Sequence, residues 1–316
     1  MDSCSLLASA KINLYLEIIG DRPDGYHELV MVMQSIALAD LVELKAIGMD
    51  AFRVRCSHPL VPTDSSNLAY RAAQLMADEF PEAFSRWGGA EITIDKRIPV
   101  AAGLAGGSTN AAAVLVGLDL MWNLGLTLPQ LQELGAKLGS DVPFCIGGGT
   151  ALATGRGEKI SPLSNLDRSY LVLGKFRSLQ VSTPWAYKTF RQEFGHQYVS
   201  DAAGLEERRQ RVHSGPMVSA ILHHDDRQIG QRLYNDLERV VLPAYPQVAQ
   251  LREVFRSAGG LGGMMSGSGP SVFALAESEL EATKIRDAAR SAIPDPDLDL
   301  WITQFTTTGI QVVSNK

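Results

Sequence analysis

Polar and apolar positions alternate between residues 9 and 19, with Lys11, Asn13 and Tyr15 set against Ile12, Leu14 and Leu16. A period of two predicts a strand with the polar trio on one face and the aliphatic trio on the other, so that Lys11 and Asn13 project into one site. Asp21-Arg-Pro-Asp-Gly25 predicts a turn, and it presents Tyr26 and His27 at a loop end before a second apolar run at 29–36. Ser65-Ser-Asn67 predicts the cap of a helix running to residue 80, and residues 90–98 a strand. A buried helix is expected over 109–124 and a shorter one over 128–138. Gly139-Ser-Asp-Val-Pro-Phe144 follows with Asp141 at the junction, and residues 147–155 form a tight turn into a strand.

In the second half the pattern predicts a strand at 170–173 and a helix at 183–194. Helices at 216–222 and 246–258, a strand at 272–276, a helix at 279–292 and a strand at 301–307 follow. Between the helix at 246–258 and the strand at 272–276 lies a glycine-rich turn over residues 259–271. Residues 195–214, with Glu206-Glu-Arg-Arg-Gln-Arg211, predict a solvated connection or surface helix to which no function attaches. No internal repeat stands out. The chain of 316 residues exceeds the roughly 250 to 300 at which one core stops growing, so two domains are expected, 1–165 and 166–316.

Composition narrows the partners. A hydrophobic share of 45% with 20% charged residues is that of a globular protein, and a net charge of −6 gives no general attraction for nucleic acid or anionic lipid. The start of the chain lacks the basic and apolar regions of a signal peptide, and residues 98–120 fall short of the ~18 uninterrupted apolar residues of a membrane span. Cys4, Cys56 and Cys145 lie far apart with no Cys-x-x-Cys pair, which suits a reducing, cytoplasmic setting. His223-His-Asp-Asp226 resembles a metal site only superficially, because adjacent histidines on a helix face apart.

The candidate chemistry centres on Pro99-Val100-Ala101-Ala102-Gly103-Leu104-Ala105-Gly106-Gly107-Ser108-Thr109, a glycine run opening into an alanine-rich helix. Backbone N–H groups left uncovered at a helix N-terminus, together with the aligned peptide dipoles, cradle a phosphate. No lysine follows Gly107, which excludes a Walker A loop, and the glycine spacing excludes the dinucleotide fingerprint. A glycine turn that merely lets a small-residue helix pack closely is the bland alternative.

With this loop, the N-terminal strand lysine and the second glycine turn Met265-Ser-Gly-Ser-Gly-Pro-Ser271, the chain resembles the GHMP kinases over nearly its whole length. Four further segments, Ala10-Lys-Ile-Asn-Leu-Tyr-Leu16, Arg22-Pro-Asp-Gly-Tyr-His-Glu-Leu29, Gly139-Ser-Asp-Val-Pro-Phe144 and Gly149-Thr-Ala-Leu-Ala-Thr-Gly-Arg-Gly-Glu158, resemble one branch of that family. The resemblance implies an α+β fold of two domains. The first is like domain 2 of ribosomal protein S5, with a left-handed βαβ crossover, and the second is ferredoxin-like. It further implies ATP-dependent phosphorylation of the 2-hydroxyl of a cytidyl diphosphate sugar-alcohol ester, on the non-mevalonate route to isoprenoid precursors.

Residue by residue, the resemblance gives ATP to the loop 99–109 and Mg²⁺, carried mainly by the nucleotide, to Ser108. It gives the role of catalytic base to Asp141, with Lys11 its charged partner and Asn13 beside them. It gives the cytosine to Tyr26 and His27, with Tyr187 as second aromatic and Thr183 as polar neighbour, and contacts near the nucleotide base to Asn67 and Lys96. Taken singly, Asp141 suits a helix-terminal cap and Lys11 a salt-bridged surface strand. A nearby ammonium also favours the carboxylate form and makes it a weaker base, so Asp141 is expected to orient the hydroxyl and take its proton late. Homoserine- or mevalonate-type kinases and a non-catalytic regulator of the same fold are the alternatives, and a monomer or weak homodimer is expected.

Overall fold

Two long antiparallel strands, β1 (Ser3–Asp21) and β2 (His27–Ala46), organise the first half of the computed structural model, which describes residues 1–313. They are followed by β3 (Arg53–Cys56), α1 (Leu68–Glu79), α2 (Pro81–Trp87), β4 (Ala90–Asp95), α3 (Gly106–Trp122), α4 (Leu128–Leu138), α5 (Val142–Gly147), β5 (Thr150–Gly155) and β6 (Lys159–Pro162). One end of β2 pairs with β4 and the other with β5, while β3 runs parallel to β4 through the α1–α2 crossover. The helix expected from residue 109 starts three residues earlier, inside the glycine loop, and ends where Asn123 turns left-handed.

The second half contributes β7 (Tyr170–Phe176), α6 (Thr183–Phe194), α7 (Ala202–His213), α8 (Pro216–Leu222), α9 (Asp226–Gln231), β8 (Tyr234–Asn235), α10 (Glu238–Ala244), α11 (Pro246–Ser257), β9 (Gly262–Met265), β10 (Val272–Ala276), α12 (Glu279–Ala292), β11 (Leu298–Gln304) and β12 (Ile310–Val313). An antiparallel sheet in the order β11-β7-β10-β9 forms its centre. The chain passes from the first sheet to the second between β6 and β7, then returns twice, because β8 and β12 both pair with β1. The fold is α+β. Among the described residues no helix is long and apolar enough to cross a membrane.

Two register shifts in β1 decide what faces the site. Pairing with β2 slips between Ser9 and Ala10 and again between Asn13 and Tyr15. On either side of that interval Leu6, Ala8, Leu16 and Ile18 pack in one core with α3 residues such as Ala111 and Leu118. Inside it Ala10, Ile12 and Leu14 pack instead against Leu171, Leu173 and Phe273 of the second sheet. Bulges re-aim side chains in this way, and here they turn Lys11 and Asn13 toward the helices. The expected trio therefore breaks: Tyr15 leaves that face, its ring 5.3 Å from that of Tyr234 and its hydroxyl donating to Glu17 at 2.8 Å. Leu16 likewise parts from Ile12 and Leu14.

Candidate active site

The glycine loop bends by left-handed residues at Ala101 (φ 52°), Gly103 (φ 73°) and Ala105 (φ 58°). Alanine in that region costs of order 1–2 kcal/mol, strain of a kind that gathers at functional sites. Ala105 occupies the cap position of α3 and supplies no side-chain acceptor, so the first-turn N–H groups of Gly106, Gly107 and Ser108 stay open. The glycines serve different ends. A Cβ on Gly103 would lie 2.3 Å from the carbonyl oxygen of Ser266, because the two glycine turns dock backbone to backbone. Ser266 Oγ donates to the Gly103 carbonyl at 3.1 Å and completes that joint. Among the described residues, a Cβ on Gly107 would meet nothing closer than 3.7 Å.

Asp141 immediately precedes α5, a six-residue helix that the sequence pattern did not predict, and it makes no capping bond there. Its carboxylate lies 3.7 Å from Lys11 Nζ, with a side chain 30% exposed where that of Lys11 is 6% exposed. Lys11 is thus no surface residue, and it donates to Asn13 Oδ1 at 2.8 Å. The arrangement leaves Asp141 with acceptor capacity facing open space and a buried ammonium behind it.

A third group stands at the end of the β1–β2 hairpin. The His27 ring lies 5.1 Å from the Tyr187 ring of α6 and 6.1 Å, edge-on, from Tyr198. Its Nε2 is buried without a hydrogen-bond partner among the described residues, Asp21 standing 3.8 Å away. Burial, and then the charge of Arg191, push the imidazole down to about 4, so the ring is neutral at pH 7. Tyr26 is half exposed, with the Arg156 guanidinium 5.1 Å from its ring centroid. Thr183, at the first turn of α6, shares a 2.7 Å hydrogen bond with Ser268 of the second glycine turn.

These groups surround one cavity of about 810 Å³, lined by Lys11, Asn13, Tyr26, His27, residues 99–108, Asp141, Thr183 and Tyr187. Thr109 differs from the expectation: its side chain is wholly buried, and its N–H is committed to the Ala105 carbonyl at 2.9 Å, as helix geometry requires of the fourth residue. Asn67 and Lys96 also line the cavity, but Asn67 caps α1 through Ala69 N–H, and the Lys96 ammonium is bound to the fully buried carboxylate of Asp40. Arg156, Lys188 and Arg191 line it as well. Positions 184, 187, 188 and 191 follow helical spacing, so the face of α6 carrying Tyr187 was the signal for the last two.

Among the described residues no three His, Cys, Asp or Glu side chains gather as a metal site. The Ser108 hydroxyl lines the cavity as a hard oxygen donor, the kind that suits Mg²⁺ held chiefly by phosphates.

The chain matches the GHMP kinases N terminal domain over residues 67–149 and the GHMP kinases C terminal domain over 217–295, and it belongs to that family of kinases. It is 65% identical over 316 residues to a protein of Nostoc punctiforme, covering all of both chains, and 64% identical over 312 residues to one of Trichodesmium erythraeum, covering 99% of each. Both are named 4-diphosphocytidyl-2-C-methyl-D-erythritol kinase, and the chain belongs with them to that group of enzymes. A crystal structure of 4-(cytidine 5'-diphospho)-2C-methyl-D-erythritol kinase is 31% identical, with a TM-score of 0.72 over 95% of this chain and 98% of that one. Homoserine kinase from Cytophaga hutchinsonii reaches a TM-score of 0.76 over 99% and 98% at only 19% identity, so overall shape does not separate the members of the family.

Proposed function

We propose that the chain transfers the terminal phosphoryl group of ATP to the 2-hydroxyl of 4-diphosphocytidyl-2-C-methyl-D-erythritol, giving the 2-phosphate and ADP. The observation that carries this is one cavity joining the open helix N-terminus at Gly106–Ser108, the Lys11–Asp141 pair and the aromatic pocket of Tyr26, His27 and Tyr187. Homoserine and mevalonate carry no base, and neither would use that pocket.

Phosphoryl transfer has a loose transition state, so positioning and charge stabilisation supply most of the catalysis. The loop N–H groups hold the phosphates, and Ser108 assists the Mg²⁺ that the nucleotide brings to neutralise them. Asp141 accepts a hydrogen bond from the attacking hydroxyl and takes its proton late. Lys11 fixes that carboxylate and screens the phosphoryl charge, while Asn13 holds the lysine. In the pocket, aromatic faces stack the cytosine, and the neutral His27 ring offers its unpartnered nitrogen to the base edge. The three free cysteines suit a cytoplasmic enzyme, and it acts as a monomer or weak homodimer on small molecules alone.

The test is ADP release with Mg-ATP and the cytidyl alcohol, with homoserine and mevalonate in parallel and the product identified by phosphorus NMR. Turnover of the cytidyl substrate alone, to the 2-phosphate, is expected. Turnover of either other alcohol, or binding without turnover, would overturn the proposal.

A further inference from the structure

Residues 195–213 lie outside the cavity, yet three of their arginines turn onto the strands beneath. Arg208 and Arg211 of α7 reach Glu17 of β1 at 3.2 and 3.5 Å, and Arg209 Nη2 donates to Glu28 Oε1 at 2.7 Å. Glu28 follows His27 directly and is 4% exposed, and its second oxygen accepts from Arg22 Nη1 at 2.8 Å. Arg22 in turn donates to Asp24 at 3.0 Å, and Asp24 Oδ1 accepts the backbone N–H of Tyr26 at 3.1 Å. Burial works against the charge on Glu28, but the two arginines outweigh it and hold the carboxyl below its usual range. A continuous run of hydrogen bonds, most of them charge-assisted, therefore connects α7 to the turn that bears the base pocket. Ahead of α7, Val199 N–H donates to the Ile19 carbonyl at 2.9 Å, and Tyr198 backs the His27 ring.

We infer that Arg209 is a positioning residue: from outside the cavity, through Glu28 and Arg22, it fixes the turn carrying Tyr26 and His27 and so sets affinity for the cytidyl end of the substrate. This rests on the base-pocket reading above. Exposed ion pairs contribute little, but Glu28 is buried, and removing one of its two cations leaves a charge only half compensated. The turn itself is largely exposed at residues 23–26; Arg191 of α6 ties Asp21 at 2.8 Å and the Gly25 carbonyl at 3.0 Å, which leaves the Arg22 and Glu28 side of the turn to Arg209.

Arg209→Ala is expected to raise KM for the cytidyl substrate about tenfold while kcat and KM for ATP stay within about twofold. Arg209→Lys, which keeps a donor for Glu28, recovers most of that loss. Should the alanine variant fail to fold, Glu28→Gln removes the charge at constant shape and gives the same split. An unchanged cytidyl KM in both variants overturns the inference, and so does a joint change in kcat and both KM values with a lowered Tm, which marks a merely structural role. Tyr26→Ala is assayed alongside. If it leaves the cytidyl KM unchanged, the base-pocket reading fails; if it raises KM where Arg209→Ala does not, only the positioning role fails.

Discussion

Two lysine–carboxylate pairs face the same cavity, and they differ in how completely the fold satisfies them. Asp40, fully buried, accepts from Lys96 Nζ, from Arg97 N–H and Ile98 N–H at 2.8 Å each, and from Asn110 Nδ2 at 2.8 Å. These partners stand on both sides of the glycine loop, so Asp40 latches its entry and its exit together. Asp141 has Lys11 at 3.7 Å, no capping bond and an exposed edge. Identical chemistry therefore serves structure where every lone pair is occupied and is open to a substrate where it is not. Acceptor capacity, more than charge or proximity to the loop, distinguishes the two carboxylates.

Asparagine in each position separates them most strongly. Asp141→Asn should lower kcat by roughly 10² to 10⁴ with Tm nearly unchanged. Asp40→Asn strands the Lys96 ammonium in the interior and should destabilise the fold by about 3–5 kcal/mol in denaturant melts. A large loss of stability in Asp141→Asn, or none in Asp40→Asn, would break the distinction.

His27 extends it to a neutral group. Because burial depresses its imidazole from 6.5 to about 4, the unfolded chain binds a proton below pH 6.5 that the folded chain refuses until about pH 4. Stability conferred by the neutral ring is complete above pH 6.5 and falls by at most about 1.4 kcal/mol per unit as pH drops through that window. His27→Gln should lose less stability than the parent protein between pH 7 and 5 in urea melts, and the His27 NMR resonances should show no titration near 6.5. Titration there would mean the ring is not sequestered. Tyr26→Ala, at the more open side of the same pocket, should weaken cytidyl binding by about 1–3 kcal/mol by calorimetry and leave ATP affinity intact.

Much of this site is legible in the chain because it rests on local rules. Period-two spacing puts Lys11 and Asn13 on one face, and the glycine run announces an open helix start. What escapes is non-local. The register shifts that separate Tyr15 from Lys11 depend on how β2 pairs, and no spacing within β1 encodes them. Asp40 lies beyond the apolar run at 29–36, in the part of β2 that the pattern leaves out, so its latch on residues 97, 98 and 110 was invisible. Helix α5 is too short for periodicity to register and has proline near its start, so Asp141 reads only as a junction. The return of β8 and β12 to β1 likewise couples the two halves in a way that a linear boundary cannot express.

The glycines of the loop repeat the distinction in backbone form and give the smallest expected effect. Gly103 is required by the protein, since a Cβ there would run into the Ser266 carbonyl at 2.3 Å. Gly107 is not required by it: the nearest atom to a Cβ, in the Leu68 side chain, is 3.7 Å away, and the backbone is helical. Alanine at 107 should therefore favour helix α3 by about 0.5–1 kcal/mol, raising Tm, because glycine loses more backbone freedom on folding. If an empty position in the first turn persists because phosphate approaches the backbone there, the same substitution should raise KM for ATP while leaving KM for the cytidyl alcohol unchanged. A variant that gains stability and keeps its ATP affinity would show that Gly107 is dispensable, and would confine phosphate contact to Gly106 and Ser108.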